Sequence, residues 1–464
     1  MNRRTFLHSV AGAAGASALP LFSLLAAEAV PDKPARPKSI PRFGDGRDWF
    51  FEKRYGMFIH WGLYSINGWH EQDQWRHRIA RSEYQKLAEK WNPVRYNPDE
   101  WLDLAAGAGM KYVCLTTKHH DGFCLFETKL TKYNTMNTPY GKDVLKMLVD
   151  ACHRRGFPVC LYYSIADWHQ PNYPNEGRHH ELPPQPGDRP DWLKYLEFLR
   201  GQIRELCTNY GEINGFWWDM NVPKHVDRSI NDMIRKLQPR AVINNRGFDE
   251  GDFGTPERDY EKDDSVAFDR PTEANQSVGM ESWGYRVNED YYTDRHLIRS
   301  IDRYLARDAN YLLNVGPTGQ GLIPETSAGI LKRIGQWYTP VKEALENVRP
   351  ASDLTPNRNV LITRRDNTLY VHLYKDPMGD AVKLRPINIA PKKATLLNTG
   401  QPVEFAVELI PSEHLEQKPY LRLRKLPANE LANTVMVVKL EFDSLPETFA
   451  IQPADGAKTD VLRR

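Results

Sequence analysis

Between residues 55 and 246 the chain repeats one pattern, a short apolar run that ends abruptly on His, Tyr, Asp, Asn or Arg and is followed by a segment with helical periodicity. Strand candidates lie at 55–62, 111–122, 157–165, 213–220 and 241–246, and helix candidates at 98–108, 144–155, 191–210 and 226–237. Gly109, Gly156 and Gly211 stand where three of these helices should close, as residues free to adopt the left-handed conformation of a helix end. Strand and helix in alternation build parallel βαβ units, which either close into a barrel or form an open doubly wound sheet. An open sheet that binds nucleotides would carry a Gly-rich loop after its first strand, and none is present. Polar residues at one strand end after another suit the C-terminal face of a (β/α)8-like TIM barrel, where active sites form. Past Arg246 the pattern is less regular, with strand candidates at 281–285 and 309–315 around a helix at 294–306.

From about Pro350 the periodicity changes to short alternating runs, at 360–363, 368–374, 420–424 and 434–440, with turn residues between them. That is the pattern of an all-β accessory domain, a C-terminal sandwich. The expected organisation is a leader at 1–29, a Pro-rich spacer at 30–48, a catalytic barrel at 49–348 and the sandwich at 349–464. The leader reads as a twin-arginine signal: Arg3-Arg4 precedes an apolar stretch, and Ala27-Glu28-Ala29 fits small-x-small cleavage. Ser, Gly and Pro interrupt that stretch, which ranks a membrane anchor lower, and export to the periplasm or beyond is the expectation. The five cysteines show no paired metal spacing and four sit in apolar patterns, so buried free thiols are expected. A net charge of +2 with no dense basic run past the N-terminus points to no nucleic-acid partner, and to no membrane partner once the leader is removed.

The stretch Ile213-Asn214-Gly215-Phe216-Trp217-Trp218-Asp219-Met220 ends an apolar run on a carboxylate. Side chains alternate along a strand, so Trp217 and Asp219 share one face and Phe216 and Trp218 the other. A carboxylate beside aromatic rings at a barrel mouth suits glycoside hydrolysis, where it attacks the anomeric carbon or stabilises an oxocarbenium-like state. The competing reading is an Asp that caps the next helix. His119-His120-Asp121 invites a metal, but adjacent strand residues face opposite ways and no second ligand set with helical spacing follows. Hydrogen bonding to sugar hydroxyls is the better use of these histidines, unless one of the two serves to orient the other; His60 carries the same ambiguity, and a lone His there is more often structural.

The runs Phe58-Ile59-His60-Trp61-Gly62, Lys118-His119-His120-Asp121-Gly122-Phe123, Leu161-Tyr162-Tyr163-Ser164, Trp217-Trp218-Asp219-Met220, Ser282-Trp283-Gly284-Tyr285 and Tyr311-Leu312-Leu313-Asn314-Val315-Gly316-Pro317 resemble, in order, the motifs of glycoside hydrolase family 29, the retaining α-L-fucosidases. That resemblance implies a (β/α)8-like barrel followed by a β-sandwich. It implies Asp219 as nucleophile, and His60, Trp75, His119, His120, Tyr163, Trp217 and Arg246 around the fucosyl ring. For the acid/base it implies Glu257, in a segment resembling one that carries this role in some members, with Glu273 as second candidate. The chain departs from the pattern at Gln74-Trp75, where many members carry Glu-Trp, though Glu71 is nearby; Thr272 stands where a Trp usually precedes the Glu matching Glu273. The implied activity is exo-acting release of terminal L-fucose from a fucosylated oligosaccharide or glycoconjugate, with no cofactor and no metal. The alternatives are a catalytically weak fucose-binding protein on the same fold, a glycosidase for a related sugar such as L-galactose, and a metal-dependent hydrolase built on His60, His119, His120 and Asp219.

Overall fold

The computed structural model describes residues 40–219, 227–257, 268–416 and 418–449, so the leader expected at 1–29 lies outside the described residues. Seven parallel strands form the first sheet: β1 Tyr55–Ile59, β2 Tyr112–Lys118, β3 Val159–Ser164, β4 Gly215–Asp219, β5 Val242–Ile243, β6 Glu273–Ser277 and β7 Asn310–Val315. Their order, β5-β4-β3-β2-β1-β7-β6, is that of a barrel opened between β5 and β6. The segment from Phe253 to Glu257 stands in that gap. It makes parallel bridges from Phe253 to Asn244, from Gly254 to Thr272 and from Glu257 to Asn275, so it fills the eighth position without becoming a regular strand. The long helices α1 Pro98–Gly107, α2 Val144–Arg155, α3 Trp192–Thr208, α4 Ser229–Leu237, α5 Asp294–Leu305 and α6 Glu325–Val341 alternate with the strands. Asn97, Asp143, Asp191 and Thr293 cap α1, α2, α3 and α5 by accepting hydrogen bonds from first-turn backbone N–H groups. Gly156 closes α2 at φ 68°, as its position in the sequence predicts.

One expected strand is misplaced. Residues 281–285 are loop, and the strand of that region is β6 eight residues earlier, Glu-Ala-Asn-Gln-Ser. Its residues are all buried although most are polar, because Glu273 and Asn275 face the inside of the barrel, where polar partners satisfy them. Hydrophobic periodicity cannot find such a strand. The 281–285 loop instead turns its backbone N–H groups at Trp283 and Gly284 toward the Glu71 carboxylate. Gly316 makes this fit possible, since a Cβ there would lie 2.4 Å from the carbonyl carbon of Gly284.

Two apolar layers follow from the strand alternation. Phe216, Trp218 and Tyr163 join the core between sheet and helices, while Phe58, Tyr112, Tyr162, Trp217 and Leu312 pack together inside the barrel. Beyond α6 the chain forms two antiparallel sheets. The larger contains β8 Arg349–Pro350, β9 Leu361–Arg365, β10 Thr368–Leu373, β12 Lys393–Leu396, β13 Gln401–Pro402 and β16 Met436–Glu441. The smaller contains β11 Val382–Lys383, β14 Glu404–Glu408 and β15 Tyr420–Arg424. Ile362, Leu369, Val371, Val438 and Leu440 from the larger sheet meet Leu421 and Leu423 from the smaller, the core of a sandwich. The alternate residues Leu361, Tyr370 and Val437 join the helix-side core of the barrel. That joint is also polar: Asp302 of α5 accepts from His372 Nδ1 of β10 at 2.7 Å, both fully buried, and Trp337 of α6 donates to the Val435 carbonyl at 3.0 Å. All five cysteines are buried and in no disulfide, and among the described residues no helix is long and apolar enough to cross a membrane.

Replacing Asp302 by Ala strands the buried His372 donor, and should lower stability by about 1–3 kcal/mol. Thermal unfolding checks this, with the midpoint expected to fall while the catalytic constants of the folded fraction stay put.

Candidate active site

The C-terminal ends of the barrel strands surround a cavity of about 150 Å³ lined by Phe58, His60, Glu71, Gln72, His119, His120, Tyr162, His180, Trp217, Asp219, Arg246, Glu257, Asn275 and Trp283. An engineered cavity of about 150 Å³ in another protein takes up benzene, so this volume suits one ring rather than a chain. Larger surface hollows occur elsewhere, one on the sandwich beside Met378 and one among Arg42, Arg349 and Arg365, but neither lies at the strand ends.

Asp219 is the last residue of β4, its side chain 19% exposed to the cavity. Tyr162 donates its hydroxyl to Oδ2 at 2.7 Å and Arg246 donates Nη1 to Oδ1 at 3.2 Å. The strand register explains the first bond: Tyr162 pairs with Trp217 and Ser164 with Asp219, so the tyrosine stands one pleat below the carboxylate on the same face. Arg246 reaches over the Trp217 ring, its guanidinium carbon 4.8 Å from the centroid, and donates Nη2 to Glu257 Oε2 at 2.9 Å. One guanidinium thus holds both acidic candidates. Burial works against its charge, but Asp219 and Glu257 outweigh burial and keep Arg246 above the usual arginine range.

The histidines form the opposite wall. β2 ends at Lys118, which frees the next two residues from strand alternation and lets His119 and His120 both face the cavity. Ser164 donates its hydroxyl to the Ala166 carbonyl at 2.7 Å, so at its 2.7 Å contact with His120 it accepts from Nδ1. His120 Nε2 then faces Asp219 Oδ2 at 3.8 Å as an acceptor. Burial, only partly opposed by Asp219, lowers His120 to about 4, so the ring is neutral at neutral pH. His119 is pushed well below the usual histidine range by burial and then by His120 and His60, and among the described residues its Nδ1 has no hydrogen-bond partner. Asn314 donates its amide to the Ser277 hydroxyl and the Trp283 carbonyl, which orients its oxygen to accept from His60 Nδ1 at 2.7 Å. The neutral, oriented ring of His120 presents an acceptor to ligand hydroxyls. Among the described residues no three His, Cys, Asp or Glu side chains converge as a metal site.

Three expectations are corrected by these positions. Tyr163 lines no part of the cavity; it faces α3, donating to Gln202 Oε1 at 2.6 Å, and the pocket tyrosine is its neighbour Tyr162. β3 is buried on both faces, so hydrophobicity gives no alternation to choose between adjacent tyrosines. Trp75 stands behind the cavity wall, edge-on to His180 with ring centroids 4.9 Å apart, and Glu71 and Gln72 take the wall position instead. Glu273 lies inside the barrel beneath the cavity, accepting from Trp217 Nε1 at 3.0 Å and from Tyr112 at 2.6 Å. His60, His119, His120, Trp217, Asp219, Arg246 and Glu257 are brought together.

As lining residues, sequence reasoning missed Phe58, Tyr162, Glu71, Gln72, His180, Asn275 and Trp283. Parity with Trp217 across the β3–β4 register singles out Tyr162, but that register is a tertiary fact. Glu71 arrives on a loop after β1 and accepts from Ser282, Trp283 and Gly284 at 2.7, 2.9 and 3.2 Å. Burial alone would raise its carboxyl; His70, His60 and the Ser282 hydroxyl outweigh burial and lower it, so it stays charged.

Comparison with known proteins gives this site a family. The sequence profile described as alpha-L-fucosidase matches residues 39–343. The Homo sapiens tissue alpha-L-fucosidase is 25% identical over 402 residues, 78% of this chain and 82% of that protein. Alpha-L-fucosidase isoenzyme 1 from Paenibacillus thiaminolyticus superposes with a TM-score of 0.77 at 33% identity, over 86% of this chain and 99% of that one. A family 29 α-L-fucosidase from Bacteroides thetaiotaomicron, trapped as a covalent intermediate with 2-fluoro-fucosyl fluoride, gives a TM-score of 0.73 at 25% identity, over 88% and 99%. A profile that spans the barrel and a structural relative covered almost end to end show that the chain belongs to the α-L-fucosidase family, glycoside hydrolase family 29.

Proposed function

We infer that this chain is an exo-acting, retaining α-L-fucosidase that releases terminal L-fucose from fucosylated glycans by double displacement. The observation that carries the reading is the pair Asp219 and Glu257, two carboxylates at the mouth of a one-ring cavity, both held by Arg246. Asp219 attacks the anomeric carbon while Glu257 passes a proton to the departing oxygen. Glu257 then takes a proton from water, which releases fucose from the Asp219 ester. Arg246 and Tyr162 keep Asp219 pointed into the cavity and share its charge, which a carboxylate at the end of an apolar strand otherwise lacks. The Nε2 acceptor of His120 and the carboxylate of Glu71 suit the donor hydroxyls of a sugar ring, and the indole of Trp283 suits its apolar face.

We also propose export by the twin-arginine route to the periplasm or the medium, supported by Arg3-Arg4, the apolar stretch after it and Ala27-Glu28-Ala29. Five buried free thiols accord with a chain that folds in a reducing compartment before export.

Asp219→Ala should lower kcat for an aryl α-L-fucoside by more than about 10³-fold. Azide should restore turnover and yield a fucosyl azide; retention of full activity would remove Asp219 from the mechanism. Glu257→Gln should cost about 10²–10⁴-fold on natural fucosides and much less on substrates with activated leaving groups, measured as kcat/KM across a leaving-group series. An equal loss along the whole series would take the acid/base role away from Glu257. For export, Arg3→Lys with Arg4→Lys should leave the longer precursor in the cytoplasmic fraction, and unchanged processing would refute the route.

A further inference from the structure

The floor of the cavity rests on a buried carboxyl that touches no ligand-facing space. Glu273, at the start of β6, is 3% exposed, and both its oxygens are occupied: Oε1 by Trp217 Nε1 at 3.0 Å, Oε2 by the Tyr112 hydroxyl at 2.6 Å. Gly56 makes room for that tyrosine, because a Cβ there would lie 2.5 Å from its ring. The Trp217 indole in turn stacks on Tyr162 at 5.7 Å and 17°, packs against Phe58, and carries the Arg246 guanidinium over its face. Tyr162 and Arg246 both donate to Asp219. A continuous chain of contacts therefore runs from Glu273 through one indole to both groups that aim the proposed nucleophile.

We propose that Glu273 is a positioning residue for fucoside hydrolysis, acting through Trp217 to fix the ring on which Arg246 and Tyr162 are seated. The inference rests on the function proposed above. An indole has one donor, and a flat ring with a free Nε1 can turn about its side-chain torsions; an acceptor at 3.0 Å beneath the sheet end holds a single orientation. An acceptor on Nε1 also enriches the ring face, which strengthens the attraction for the guanidinium above it. Burial pushes the Glu273 carboxyl up to about 7 against its two donors, with the Cys114 and Cys160 thiols as the other groups facing it inside the barrel. In either protonation state one oxygen remains to accept from Nε1, while the Tyr112 hydroxyl can donate or accept, so the indole stays held.

The test separates positioning from proton transfer. Glu273→Leu should lower kcat/KM by about 10²-fold, the scale of a displacement of about 1 Å in an active site. The loss should be equal for good and poor leaving groups and unrelieved by azide. Glu273→Gln, whose amide oxygen still accepts from Nε1, should recover at least tenfold of what Leu loses (about 1.4 kcal/mol). Trp217→Phe with Glu273→Leu should be no worse than Trp217→Phe alone, the non-additivity of a shared contact. The idea fails if Glu273→Leu stays within about threefold of the parent, or if Gln is as damaging as Leu; a loss that grows with poorer leaving groups would make Glu273 the acid instead. Should the Leu variant not fold, the Gln and Phe variants decide it alone. The ligand-free indole ¹H–¹⁵N resonance of Trp217 should shift in the Leu variant and hold in Gln; a parent protein inert on every α-L-fucoside but with that resonance pattern intact would overturn the proposed function and leave the Glu273–Trp217 coupling standing.

Discussion

The register between β3 and β4 sets the chemistry of the cavity. It places Tyr162 beside Trp217 and Ser164 beside Asp219, and the hydrogen bond from Tyr162 to the proposed nucleophile follows from that pairing. A slip of one residue would turn Asp219 toward the helices and bring Trp218 into the barrel. Fully buried aromatic side chains on both faces oppose such a slip, since each one contributes about 1.5–3 kcal/mol only where it now packs. The site is therefore precise because the layers on either side of the sheet are dense, and its polar groups ride on an apolar alignment.

Polar groups inside the barrel are arranged in two tiers. The lower tier, Glu273 with Tyr112 and Trp217, is closed and satisfied within itself. The upper tier, Asp219 with Tyr162, Arg246 and Glu257, leaves faces open to the cavity. A carboxylate of the lower tier can tolerate a raised pKa because nothing there must ionise for turnover, whereas the upper tier keeps its charges paired with a cation. The histidine wall adds acceptors without adding charge, because burial holds His119 and His120 neutral. Together these features describe a pocket shaped for an uncharged, hydroxyl-rich ring.

The loops complete what the strands begin. Glu71, from the segment after β1, ties itself to the backbone of the segment after β6, so two distant loops close over the same cavity. Asn314 stitches β1, β6 and the Trp283 loop in the same way by contacts to His60, Ser277 and the Trp283 carbonyl. The sandwich bears on this indirectly: His372 and Trp337 lock its larger sheet to α5 and α6, the helices that flank β7.

Strand and helix alternation, read from residues alone, is enough to call for a parallel barrel with its polar strand ends gathered on one face, because periods of 2 and 3.6 leave distinct apolar patterns. It is also enough to put Trp217 and Asp219 on the same side, because alternation within one strand needs no partner. The family motifs named the chemistry, since they record residue identities rather than geometry. Tertiary structure decided the rest. Only the register chose Tyr162 over Tyr163, because a strand buried on both faces shows no alternation to read. Only the folded barrel revealed β6, a polar strand whose partners lie far away in the chain, and moved Glu273 from the mouth to the floor. Only loop closure brought in Glu71 and left Trp75 behind His180, because a loop's path is set by hydrogen bonds to residues some two hundred positions distant, which no local pattern encodes.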